Sequence, residues 1–110
     1  LDAAGRFVGG CILPGVGLML RSLAGGTAGL PFADGQYSPY PRCTDDAIVS
    51  GALEAQAGAI ERAFARLPGD AGICLLSGGY GNRISPCLAI PHQLADNLPL
   101  EGLRQIARQV

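Results

Sequence analysis

The chain has 110 residues and a net charge of −1; 48% of its residues are hydrophobic and 15% are charged. That length suits one domain, and the composition excludes intrinsic disorder, which needs low hydrophobicity and high charge. All eight positive charges are Arg, so no Schiff-base or P-loop lysine comes from this chain, and without a basic surplus a nucleic-acid partner is not expected.

Residues 6–13 (RFVGGCIL) form an apolar run bounded by Gly5 and Pro14, which predicts a strand interrupted by Gly9-Gly10. Pro14 suits a helix start. Val16, Met19, Leu20 and Leu23 then recur at helical spacing, and Gly25-Gly26 ends that helix. Residues 27–42 hold Pro31, Gly35, Pro39 and Pro41 with Tyr37 and Tyr40 between them, a loop long enough to serve a function.

Residues 44–67 are the clearest helix. Thr44 is a suitable N-cap, and Asp45 and Asp46 put negative charge at the positive end of the helix dipole. An apolar stripe runs through Ile48, Ala52, Ala55, Ala59 and Ala63, widened by Ile60, Phe64 and Leu67, and Pro68-Gly69 stops the helix. Gly51, Ala55, Gly58 and Ala59 make one face of small residues, which suits close packing by a sheet, another helix or a second subunit.

Residues 72–77 predict a strand ending in Gly78-Gly79, residues 82–88 a short helix limited by Pro86, and residues 88–90 a brief third strand. Leu100, Leu103, Ile106 and Val110 then repeat at helical spacing over residues 98–110. Strands alternating with helices indicate an α/β fold. No run reaches the ~18 apolar residues of a membrane span; residues 7–20 come nearest and are broken by Gly9-Gly10 and Pro14-Gly15. The start at Leu1-Asp2, with no initiator Met, suggests a piece of a longer protein.

Cys11, Cys43, Cys74 and Cys87 form no CxxC, and His92 is the one histidine; reduced structural thiols in a cytoplasmic protein are expected, with Cys11 and Cys74 buried in strands. No Ser-His-acid triad is evident, and His92 reads as a surface or capping residue. Three places can carry chemistry. The Gly78-Gly79 bend at a strand's carboxyl end lets a ligand lie against bare backbone, or is a tight turn needing positive φ. Thr44 can donate to a ligand, or serve only as a cap. Residues 9–15 feed a helix N-terminus, where free N–H groups suit polar groups, or are simply a turn.

Five runs, in order and register, resemble the type III pantothenate kinase family. Residues 2–15 (DAAGRFVGGCILPG) resemble its D-x-x-G-x-(F/Y)-x-G-G-x-I-x-P-G segment. Leu23, Thr27-Ala28 and Leu30-Pro31 resemble its L-x-x-x-T-A-x-L-P. Residues 44–51 (TDDAIVSG) resemble its T-x-(D/E)-A-I-x-S-G, followed by G-x-I-E-R at residues 58–62. Ser77-Gly78-Gly79 is similar to its T-G-G, and residues 97–103 (NLPLEGL) to its N-L-V-L-E-G-L; after the glycines, Tyr80-Gly81 replaces the family's usual Asp-Ala.

The resemblance implies the acetate/sugar kinase, Hsp70 and actin fold, in which two ribonuclease-H-like domains clasp ATP, with residues 1–110 forming most of the second. It implies ATP-dependent phosphorylation of pantothenate, the first step of coenzyme A synthesis. It further implies a monovalent cation (K+ or NH4+), Mg2+ and a homodimer. Thr44 would contact pantothenate, Ile12, Pro14 and Gly15 would wall its site, and Gly78 and Gly79 would lie on the adenosine side. The family's first phosphate loop, catalytic aspartate and cation motif would precede Leu1, so the isolated chain is expected to be inactive. The alternative is a non-catalytic accessory or binding module of the same fold. The kinase reading further expects Thr44 and the Gly78-Gly79 bend to border one cleft.

Overall fold

The computed structural model describes residues 1–26, 34–69 and 72–109. The chain opens with a tight turn. The Asp2 carboxylate accepts from the backbone N–H groups of Ala4 (2.9 Å) and Arg6 (2.8 Å) and pairs with the Arg6 guanidinium at 3.1 Å. Gly5 takes φ 81°, a conformation other side chains resist, so Asp2 and Gly5 of the first motif serve a turn. These donors, the Arg6 amide foremost, hold the Asp2 carboxyl below its ordinary range.

Helix α1 spans Val16–Gly26 and helix α2 Thr44–Phe64. They run antiparallel: the Gln56 side-chain amide donates to the Pro14 carbonyl at 2.6 Å, at the start of α1, while Ser22 and Leu23 near its end line a hollow with Thr44. Val16 and Leu20 from α1 meet Val49, Ala52 and Leu53 from α2 in the core, each less than a tenth exposed. Burying each larger side chain contributes about 1.5–3 kcal/mol.

Strand β1 (Cys74–Leu76) leads through helix α3 (Gly81–Ile84) and a 3-10 turn (Ser85–Cys87) to strand β2 (His92–Leu94). The two strands pair in parallel, with Cys74 opposite His92 and Leu76 opposite Leu94, and a parallel pair needs such a crossover. Tyr80, Ile84 and Cys87 from the crossover pack on the helical core. Helix α4 (Leu98–Arg108) follows Asn97, whose φ of 62° suits asparagine better than most residues. Helices around a small parallel sheet make an α/β arrangement, as expected.

Several expectations are corrected. Residues 6–13 are not a strand: among the described residues only β1 and β2 pair, and without a ladder Phe7, Val8 and Ile12 stand exposed. Cys11 is exposed with them. The second strand lies at 92–94 instead of 88–90, because the Leu88 amide closes the 3-10 turn on Ser85 (3.1 Å) and the Ala89 amide donates to the Glu61 carboxylate (3.3 Å). Helix α2 ends at Phe64, where Arg66 and Leu67 tighten onto carbonyls three residues back.

Its N-cap is Cys43, with extended backbone and no side-chain bond, so Thr44 is already helical and is not the cap. Its buried face is Val49, Ser50, Ala52, Leu53 and Ala57, while Gly51, Ala55 and Gly58 are exposed. The larger Val49 and Leu53 therefore turn inward and rotate the small-residue face outward. The matches at Thr27-Ala28 and Leu30-Pro31 and the apolar Val110 lie outside the described residues.

Candidate functional site

Thr44 opens a hollow of about 540 Å³ between the end of α1 and the first two turns of α2. Met19, Leu23, Ala47, Ile48 and Ala52 give it apolar walls, and Ser22 and Thr44 its hydroxyls. Ser22 spends its hydroxyl on the Met19 carbonyl at 2.8 Å. Thr44 is exposed and, not being the cap, keeps its hydroxyl for another partner. A hydroxyl beside an apolar wall suits a small molecule with an aliphatic body and polar ends.

On the next face of α2, residues 34–43 lie along the helix as a strap. The Gln36 amide donates to Asp46 Oδ1 at 2.8 Å and the Ser38 amide to Ser50 Oγ at 2.9 Å. The Tyr37 phenol donates to the Glu54 carboxylate. That bond, reinforced by partial burial and the Glu54 charge, pushes the Tyr37 phenol up to about 12. The strap then turns back at Tyr40, whose amide donates to Ser38 Oγ at 3.1 Å. Asp46, Ser50 and Glu54 stand four residues apart and so share one helix face, a periodicity that could have marked the ridge in the sequence. Beneath the strap is a second hollow of about 400 Å³, lined by Tyr37, Leu53, Arg83, Pro86 and Cys87 among others. Burial raises the Cys87 thiol's pKa, as it does that of Cys74.

The other expected site residues lie elsewhere. Pro14 and Gly15 sit at the opposite end of α1, against Gln56, roughly three turns or about 18 Å along α2 from Thr44. Ile12 is fully exposed. Gly78, with φ 108°, and Gly79 form the exposed bend between β1 and α3. The Tyr80 ring next to that bend reaches Gly17 near the start of α1, where an added Cβ would stand 3.2 Å from its hydroxyl. Neither hollow includes Gly78 or Gly79. The bend therefore sits by one end of α1 and Thr44 by the other, and the expected common cleft is not formed by these two hollows.

His92 is neither a surface nor a capping residue but a half-buried brace. Its Nδ1 lies 2.8 Å from the Ile90 carbonyl, so Nδ1 carries the proton and Nε2, at 2.7 Å, accepts from the Ser85 hydroxyl. This pair ties the 3-10 turn to β2. Tyr80 and Gly81 also serve packing: Tyr80 joins the core, and a Cβ on the buried Gly81 would meet Leu94 at 3.2 Å. Among the described residues no three His, Cys, Asp or Glu side chains gather as a metal site would require. No helix among them is long and apolar enough to cross a membrane.

Comparison with known proteins supplies what the hollows alone do not. The family model described as type III pantothenate kinase matches residues 1–66. A protein of that description from Dechloromonas aromatica (strain RCB) is 68% identical over 107 residues, which cover 97% of this chain and 45% of that protein. One from Aromatoleum aromaticum (strain DSM 19018 / LMG 30748 / EbN1) is 56% identical over 112 residues, covering 99% of this chain and 46% of that protein. One from Azoarcus sp. (strain BH72) is 50% identical over 108 residues, covering 97% and 41%. The chain thus spans less than half the length of these relatives.

Proposed function

Since this chain belongs to the type III pantothenate kinase family, we propose that it is the carboxyl-terminal part of an enzyme that transfers the γ-phosphate of ATP to pantothenate. The product, 4′-phosphopantothenate, would open coenzyme A synthesis in the cytoplasm. The observation that carries the site assignment is Thr44: it heads the family motif at residues 44–51, keeps its hydroxyl out of helix capping, and stands at the mouth of an apolar hollow. Pantothenate, with polar ends and a branched aliphatic body, fits that chemistry.

In this reading the chain folds as part of a second ribonuclease-H-like domain. The exposed run at Phe7, Val8 and Ile12 is then covered by the remainder of the enzyme. Pro14 and Gly15 stand about 18 Å along α2 from Thr44, so Ile12, Pro14 and Gly15 wall the same pantothenate site only where a second copy of the chain in a homodimer brings them to it. The Gly78-Gly79 bend takes the adenosine side. Among the described residues no three His, Cys, Asp or Glu side chains gather, and the ligands of Mg2+ and of K+ or NH4+ lie mostly outside residues 1–110 in this reading. Phosphoryl transfer is mostly positioning and charge neutralisation, so this part contributes positioning, with the charged machinery elsewhere. Tyr80 and Gly81 depart from the family pattern, and both sit in the packing of the core, so that departure does not by itself favour an accessory module.

Two measurements test this. In the full-length enzyme, Thr44→Ala weakens pantothenate binding by roughly 0.5–1.5 kcal/mol, one ordinary hydrogen bond, and leaves ATP binding unchanged; unaltered pantothenate affinity would remove Thr44 from the site. The purified 110-residue chain shows no ATP-dependent phosphorylation of pantothenate, and turnover by it would refute the division of labour.

A further inference from the structure

We infer that the strap of residues 34–43 is a positioning device for the Thr44 hollow: Gly35, seated on the first turn of α2, and the ridge Asp46, Ser50 and Glu54 together fix where the Thr44 hydroxyl points. The inference rests on the pantothenate reading of Thr44 given above.

The first turn of a helix has N–H groups without intrahelical partners and is the part most prone to fray. A side-chain cap normally steadies it, but Cys43 provides none. The strap supplies the missing anchor in two ways. Gly35 lies so close to the Asp45–Asp46 peptide that a methyl group there would overlap backbone atoms of both residues, which cannot swing aside as a flexible side chain would. Gly35 is not among the glycines of positive φ, so space and not backbone conformation calls for glycine there. One residue on, the Gln36 amide holds the Asp46 carboxylate at 2.8 Å.

The rest of the ridge sets the strap's register. Ser50 is 2% exposed, and its hydroxyl at that depth needs a partner; the Ser38 amide is that partner. Tyr37 reaches a turn further to Glu54. Asp46 and Ser50 are the other two polar positions of the 44–51 motif matched to the family pattern. Both face the strap, so only Thr44 of the three is left for a ligand. Displacing the strap would leave the core of α1 and α2 in place and free the turn that carries Thr44.

The test uses the full-length enzyme with four variants: Gly35→Ala, Asp46→Ala, Asp46→Asn and Thr44→Val. Expected are a pantothenate KM raised about three- to tenfold in Gly35→Ala and Asp46→Ala, as for one lost hydrogen bond, an unchanged ATP KM, and near wild-type values in Asp46→Asn, which keeps Oδ1. Hydrogen exchange at residues 44–48 should quicken in Asp46→Ala while residues 49–57 stay protected. Unchanged KM values in both Gly35→Ala and Asp46→Ala, or a rise in both substrates' KM together, would overturn the inference. If Gly35→Ala does not fold, the two Asp46 variants decide alone. Thr44→Val separates the two claims: if it leaves the pantothenate KM untouched, the site reading itself has failed, whereas an effect there with none from the strap variants sinks only the strap.

Discussion

At the residue scale, Tyr37 and Leu53 make the sharpest demands. The Tyr37 phenol donates to a carboxylate, so its ionisation is delayed to about 12 from an ordinary value of 10. A folded-state pKa raised in this way stabilises the protein fully below pH 10, and the contribution is lost as pH climbs through 12. Spectroscopic titration of tyrosinate should therefore show a late step, and Tyr37→Phe should abolish it. Leu53 is 2% exposed between α1 and the crossover; Leu53→Ala should cost about 2–5 kcal/mol in urea denaturation, the usual penalty for emptying a packed leucine site. The thiols divide by accessibility. Cys11 and Cys43 are exposed whereas Cys74 and Cys87 are half-buried with raised pKa values, so a thiol reagent should modify two cysteines quickly and two slowly.

At the element scale, α2 decides most of the arrangement, since one face meets α1, the next meets the strap, and among the described residues a third is left free. A Cβ on Gly51 or Gly58 would touch none of the described residues. Gly58→Ala should therefore stabilise the isolated chain by roughly 0.5–1 kcal/mol through helix propensity alone, measurable as a higher denaturation midpoint; a loss of stability would mean that something packs on that face. The existence of α1, α2 and α4 was legible from spacing, because a helix makes its own hydrogen bonds and its pattern is local. Strands were legible only in part: residues 72–77 do hold β1, but residues 6–13 look more strand-like than residues 92–94, yet only the latter pair with β1 in register. The site was legible in the same uneven way. Thr44 and the two glycines can be picked out by type, but the ridge of Asp46, Ser50 and Glu54 goes unnoticed until a loop with donors lies across it.

At the scale of the whole molecule, the chain is open. Its radius of gyration is 16.7 Å, against about 13 Å for a compact domain of this length, and its accessible surface is 8093 Å² where a monomer of this mass has roughly 5,700 Å². Leu100, Leu103 and Ile106 on α4 and the run at Phe7–Ile12 account for part of that excess. These side chains ask for covering surface, in keeping with a chain less than half the length of its relatives. Ile12→Ser should make the isolated chain less prone to associate, read by light scattering, while lowering the melting temperature of the full-length enzyme.

What the order of residues determined alone is what is local or carried by pattern: the helices, the α/β character, the acidic start of α2, and membership of a kinase family through motifs in register. Tertiary structure decided which face of α2 is buried, where the second strand begins, what Gly35 and Ser50 are for, and how far Thr44 stands from the glycine bend. Each of these depends on a neighbour distant in sequence, and spacing along a chain carries no information about which distant amide will find which acceptor.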